Sequence, residues 1–400
     1  MTQEKRNAVF AFGGLLAVGI YILACSSSPS FSPDDTKVLY PAFDPVTGIF
    51  GMSVYDRETR RSETSFLLAT YARDNDTNTP ATPALVRGQW LANGKDIVIA
   101  CFGPGGTNNE GSVTLTVVPY AAHRPVKTLV LECASEDAGA LFIASPLCVV
   151  GDSFLYRSKR GQLVRVDLQT FALVRHQFED AKGEVILYPT PDGKGVFYLE
   201  QNDAQDQGII FGRLNPEDFS RTPLMTVTNC LEGEIRIAYD REGKTLVFLA
   251  ADGGKVGLNV WRDGRAAFSR SVDTHSQKLS FGNAVLAASG KSVLASFAKT
   301  AGTNATSYGL MEIPFSQAPP REVTLIKQEP AGDDSGVGYF QAAVSHDGKT
   351  AALASTYLGC DEGGIRPEDC ALFLVDLSDP GWKVTKVPIP AFKAKPSKQK

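Results

Sequence analysis

A short turn recurs along the chain. It reads Ser32-Pro33-Asp34-Asp35-Thr36-Lys37, then Ala92-Asn93-Gly94-Lys95 and Thr190-Pro191-Asp192-Gly193-Lys194. It returns as Arg241-Glu242-Gly243-Lys244, Ala288-Ser289-Gly290-Lys291 and Ser345-His346-Asp347-Gly348-Lys349. Each copy runs into a β-rich segment such as Val38-Leu39-Tyr40, Ile97-Val98-Ile99 or Val196-Phe197-Tyr198. Gly after Asp or Asn tolerates positive φ, which a tight hairpin turn needs. A degenerate copy, Val150-Gly151-Asp152-Ser153-Phe154, fills the remaining gap. With turns at Asp35, Gly94, Asp152, Gly193, Gly243, Gly290 and Gly348, the intervals are 59, 58, 41, 50, 47 and 58 residues.

A second strand follows most turns and ends near an acid: Val54-Tyr55-Asp56, Val164-Arg165-Val166-Asp167, Val260-Trp261-Arg262-Asp263 and Phe373-Leu374-Val375-Asp376. A further strand comes next, such as Thr128–Leu131 or Val323–Ile326. Four strands per unit and seven units predict an all-β fold, a seven-bladed β-propeller over residues 31–390. No segment after the N-terminal run keeps a helical period. Trp382–Pro390 is expected to be the last outer strand. Little chain precedes Phe31, so either Ser26–Ser30 completes the first blade or that blade has three strands.

Lys5 and Arg6 precede an apolar run, Ala8–Ala24, which ends at Cys25. That order is a secretory signal. Ile22-Leu23-Ala24-Cys25 resembles a bacterial lipobox, which makes Cys25 the lipid attachment site; an uncleaved anchor over the same span is the alternative. Residues 1–24 are then signal or anchor, 25–30 a short tether, and 391–400 a disordered basic tail. Either reading places the rest of the chain outside the cytoplasm. Ser26 resembles the sorting residue of outer-membrane lipoproteins. Of seven Cys, six remain after Cys25, and their pairing does not follow from spacing. Cys360 and Cys370 bracket a short loop that a disulfide would staple in an oxidising compartment.

The Ser-Pro-Asp-Gly-Lys turn, the β run and the strand ending in Asp resemble the repeats of TolB-type, WD40-like bacterial propellers over about residues 31–390. The resemblance implies the fold and leaves the function open. The N-terminal domain usual in TolB does not fit between Cys25 and the first turn.

In such a ring the a–b turns share one face, and the b–c loops and d–a crossovers share the other. The long loops fall on the second face, and function usually sits on loops held by a rigid scaffold. They carry nineteen acids against six basic residues by this reading. The expected binding face includes Asn108, Asn109, Glu110, Asp203, Asp206, Asp333, Asp334, Asp361, Glu362 and Arg366. A basic protein segment or a cation is what such a face would attract, where the acids do not serve solubility alone.

A formal net charge of −4 gives no sign of a nucleic-acid partner. Gly243-Lys244-Thr245 and its two analogues lack the first Gly of a phosphate loop. No Gly-x-Ser-x-Gly elbow occurs, and the four His are scattered. No catalytic residue, metal or cofactor is predicted. The sequence therefore points to an envelope-anchored binding propeller with a membrane and a protein as partners. The alternative is a propeller enzyme acting on an envelope glycan or polymer at the central channel. The inner-strand segments Gly282–Ala288 and Gln341–Val344 are small and apolar, which favours the binding reading.

Overall fold

The computed structural model describes residues 28–389 apart from the stretches 45–48, 64–66, 72–84, 105–110, 123–126, 134–146, 158–161, 178–184, 203–207, 228–233, 253, 275, 277, 301–305, 329–340 and 356–370. The chain is all-β among these residues, with one 3-10 turn at Tyr120–Ala122. The strands form seven antiparallel sheets, each made of consecutive strands. We name them blades I to VII and their strands a (innermost) to d.

Blade I starts at Ser30–Phe31, and its outer position is shared by Arg61–Ser62 and Leu68–Tyr71. Blade II runs from Leu85–Trp90 to Lys127–Cys133, blade III from Val149–Val150 to Leu173–Gln177, and blade IV from Val185–Pro189 to Arg221–Val227. Blade V runs from Glu234–Tyr239 to Arg265–Asp273, blade VI from Lys278–Leu286 to Arg321–Gln328, and blade VII from Ala342–Val344 to Val384–Pro388. Two residues therefore suffice for strand a of blade I, and that blade is complete. Among the described residues, no strand is exchanged between the first and last blades.

The core is divided. Seven hydrophobic clusters each lie between one pair of neighbouring blades. The period of two in a strand explains this. In strand b of blade V (Thr245–Asp252), Val247, Leu249 and Ala251 pack toward blade VI. Leu246 and Phe248, one residue out of step, pack toward blade IV. Strand b is covered on both faces, so it reads as a continuous apolar run. The seam between blades VII and I is closed by Phe31, Val38, Tyr40 and Tyr55 against Ala352, Ala354, Leu372 and Val387.

The recurring turn is a four-residue type. Gly193 N–H donates to Thr190 O at 2.8 Å, and Thr190 N–H donates to Gly195 O at 2.8 Å. The same pair of bonds forms at Ser32, Leu91, Asp240, Ala287 and Ser345. The left-handed residues are Asp35, Gly94, Gly151, Gly193, Gly243, Gly290 and Gly348. In the third turn this is Gly151 rather than the expected Asp152.

Candidate functional site

Antiparallel order puts the a–b and c–d turns on one face, here the turn face. The b–c and d–a segments belong to the other, the connection face. All ten residues expected to bind, Asn108, Asn109, Glu110, Asp203, Asp206, Asp333, Asp334, Asp361, Glu362 and Arg366, lie outside the described residues. So do Cys25, Cys360 and Cys370. The flanking strands assign 105–110, 203–207 and 356–370 to b–c connections and 329–340 to a d–a connection. Across the undescribed b–c and d–a segments the sequence has eighteen acids against five basic residues. That count includes Lys159 and Arg160, which the broader reading of the loops passed over. Cys101 and Cys148 are buried and free. Burial pushes the Cys101 thiol up to about 12 and raises that of Cys148 as well, so neither is a reactive thiolate.

On the turn face, charge serves the fold. The Thr190 hydroxyl donates to Asp192 at 2.6 Å and accepts from Gly195 N–H at 2.8 Å. Ser32 with Asp34 and Ser345 with Asp347 repeat the arrangement. At the ends of strand c, Asp56, Asp167 and Asp376 accept backbone N–H groups of the following turn. These bonds stabilise the carboxylates. The Ser32 hydroxyl holds Asp34 down to about 2, against an ordinary 3.8. Asp347 and Asp376 are lowered chiefly by Ser345 and Ser378, and Asp56 and Asp167 by N–H groups of Thr59 and Thr170. Burial raises Asp192, but Thr190, Lys194 and Arg241 outweigh it and the net shift is downward.

Folded values below the unfolded one stabilise the fold at pH above about 4. That contribution is lost as the pH falls toward about 2. Calorimetry is expected to show Tm falling most steeply in that window, with Asp34→Asn removing part of the slope. A Tm unchanged from pH 5 to 2 would contradict this.

From blade II to blade VII, cations tie each blade to the next. Lys127 of blade II donates to Gln169 O in the c–d turn of blade III. Arg165 of blade III donates to Pro216 O at 3.0 Å and pairs with Glu217 at 2.6 Å in blade IV. Arg213 of blade IV donates to Glu242 O, and Arg241 of blade V pairs back with Asp192 at 2.7 Å. Arg270 of blade V reaches the carbonyls of Pro314, Ser316 and Ala318. Arg321 of blade VI reaches those of Asp379 and Pro380 and lies 4.3 Å from the Trp382 ring centroid. Phe171, Phe219 and Trp382 have positive φ in these c–d turns. Phe219 and Trp382 are buried, which offsets a conformation that costs bulky residues.

At the closing seam the direction reverses. Arg57 of blade I donates to Thr350 Oγ1 at 2.7 Å, and Asp35 accepts N–H groups of His346 and Asp347. His346 Nδ1 is 2.8 Å from Asp35 Oδ1. Arg321→Ala is expected to cost about 2 kcal/mol, since it removes charged hydrogen bonds and the ring contact. Lys at this position should recover only part, because it lacks the planar fork. An unchanged urea midpoint would show that the clasp contributes nothing.

The innermost strands are less bland than the small apolar segments suggested. Arg87 in strand a of blade II is buried, and desolvation lowers it to about 10. Arg236 in blade V donates from Nε to Gly282 O of blade VI at 2.9 Å. Tyr239 donates to Pro189 O of blade IV at 2.9 Å. Both arginines were visible in the sequence as lone cations in apolar runs. Glu200, buried in blade IV, pairs with Arg221 at 2.8 Å. Among the described residues no three His, Cys, Asp or Glu are grouped to hold a metal, and no helix is long and apolar enough to cross a membrane. His176 stacks on Phe219 and His346 sits on Asp35, so the two described imidazoles have structural neighbours.

No protein-family model matches the sequence, and no curated protein matches it. Solved structures are similar in fold. The complex of KlAtg21 with the coiled-coil of AgAtg16 aligns with TM-score 0.52 at 10% identity, over 91% of this chain and 99% of that one. The C-terminal WD40 domain of Sif2 aligns at 0.43 and 14% identity, over 92% and 85%. The propeller domain of the Trilobed protease from Pyrococcus furiosus aligns at 0.43 and 12% identity, over 72% and 80%. Of these three only the first is close enough to weigh, and at that identity it speaks for the fold alone: this chain is a seven-bladed β-propeller.

Proposed function

We propose that the chain is a non-catalytic, TolB-like binding propeller of the bacterial envelope. In this reading lipid on Cys25 holds it to a membrane, the outer membrane by the Ser26 resemblance. Its connection face captures a basic protein segment. The observation that carries the reading is the contrast between the two faces. On the turn face, many acids and bases are engaged with neighbouring turns. The sequence of the undescribed connections holds eighteen acids against five basic residues. The similar propeller in the Atg21 complex is solved with a coiled-coil partner, which fits a binding role for this kind of scaffold.

The test is crosslinking from native membranes. Wild type is compared with Cys25→Ser and with a form carrying Lys at Asp361, Glu362, Glu368 and Asp369. A basic partner is expected with wild type and lost on charge reversal, while Cys25→Ser moves the protein to the soluble fraction. Recovery of no partner from membrane-bound wild type would overturn the binding reading in favour of the enzyme alternative.

A further inference from the structure

The path of the chain into blade I fixes which face an anchored ring turns to its membrane. Strand a of blade I pairs antiparallel with strand b (Lys37–Asp44), Ser30 with Leu39 and Phe31 with Val38. Lys37 directly follows the turn, so strand b descends from the turn face to the connection face. Ser28 and Pro29 therefore lie on the connection side of it. Ser28 donates to the side chain of Gln341, which precedes strand a of blade VII (Ala342–Val344) at its connection-face end. Pro29 is buried and Ser28 half-buried. The chain thus arrives along the inner strands, from the connection side.

The lengths decide the rest. At strand rise, Ser28 stands level with Pro41, about 10 Å from the connection-face end of strand b and about 16 Å from the turn face. The three residues from Cys25 to Ser28 span at most about 10 Å. Cys25 can reach the mouth of the ring on the connection face and cannot reach the turn face.

We infer that the anchored propeller holds its acidic connection face against the bilayer and presents its turn face to the aqueous phase. The partner then belongs to the membrane: a Lys- or Arg-rich segment beside the membrane-embedded part of another protein. A soluble basic protein would have to enter the thin layer between ring and lipid. The inference rests on the anchor at Cys25 proposed above, and a retained N-terminal anchor gives the same orientation.

The full acylated chain is placed in vesicles of phosphatidylethanolamine and phosphatidylglycerol that carry a headgroup-linked energy acceptor. A genetically encoded fluorescent residue replaces either Asp252, exposed at the connection-face end of strand b of blade V, or Lys291, exposed on the turn face. The two ends of an eight-residue strand differ by about 23 Å, so transfer should be severalfold stronger from position 252. Equal or reversed transfer, in protein that floats with the vesicles, overturns the orientation and leaves the anchor intact. Protein that fails to float and carries no lipid on Cys25 overturns the anchor reading, and the orientation with it.

A second arm uses a transmembrane peptide with a Lys-rich juxtamembrane stretch in the same vesicles. It should bind about tenfold or more tightly than the same stretch in solution, through its raised local concentration. Equal binding of the two overturns the membrane-borne partner.

Discussion

Asn283→Ala is expected to destabilise the ring by about 3 kcal/mol, read as a lowered urea midpoint. Strand a of blade VI (Lys278–Leu286) loses its register between Phe281 and Ala284. That irregularity sets Asn283 toward blade VII. Its Nδ2 donates to Ala342 O at 2.8 Å, and its Oδ1 accepts Ala342 N–H at 2.8 Å. Oδ1 also accepts the Ser296 hydroxyl at 3.0 Å. One amide side chain thus does what a neighbouring strand would do. Removing it strands the backbone C=O and N–H of Ala342, which is almost fully buried, and takes one bond from the buried Ser296 hydroxyl.

Ser296→Ala should cost less, because it removes one of these bonds. Asn283→Asp keeps the acceptor but sets a carboxylate oxygen against Ala342 O. Its deficit should shrink at low pH, where the carboxyl can donate. A loss below about 1 kcal/mol for Asn283→Ala would show that water replaces the amide at little cost.

Gly309→Ala should have an effect of similar size, about 3 kcal/mol, at the upper end of what overpacking costs. Gly309 sits in strand c of blade VI (Thr306–Pro314), where pairing with strand d shifts register beside Tyr308. A Cβ there would lie 2.0 Å from Val323 O and 3.0 Å from Cζ of Phe297. The first of these is backbone and cannot turn aside. Blade IV repeats the feature at Gly212, whose Cβ would lie 2.6 Å from Thr222 O. Gly193→Asn is the control. Gly193 has φ +65 but open space around it, and Asp35 holds φ 59 at the equivalent place in blade I. Calorimetry should show a drop of a few degrees for Gly309→Ala and a small one for Gly193→Asn. Equal losses would mean that turn conformation, not the strand bulge, limits stability.

The repeat was legible because turn chemistry is local. Thr190, Asp192 and Gly193 lie within four residues and hydrogen-bond within the same turn, so their spacing shows in the sequence. The strand-ending acids Asp56, Asp167 and Asp376 were legible for the same reason, though their caps onto the c–d turns were not foreseen. The clasps were hidden, since Arg270 meets Ser316 across 46 residues and Asp35 meets His346 across 311. A local pattern cannot name such partners. One trace was available: Asp167 to Phe171 and Asn215 to Phe219 share a spacing that marks the aromatic of the c–d turn. The register shifts at Gly212, Asn283 and Gly309 left only a glycine or an amide inside a strand. The acidic connections were visible as composition, which gives their charge and chain position but no arrangement of side chains.

The divided core has a further consequence. Each blade closes its own sheet from consecutive strands, and each seam is packed by two blades alone. Among the described residues, no hydrogen-bonded ladder joins strands of different blades. The ring is therefore a natural candidate for circular permutation: old termini joined by a linker, new ones opened in any d–a crossover, all seven sheets left whole. Moving the start from blade to blade would carry the N-terminus around the axis without changing the face from which it leaves.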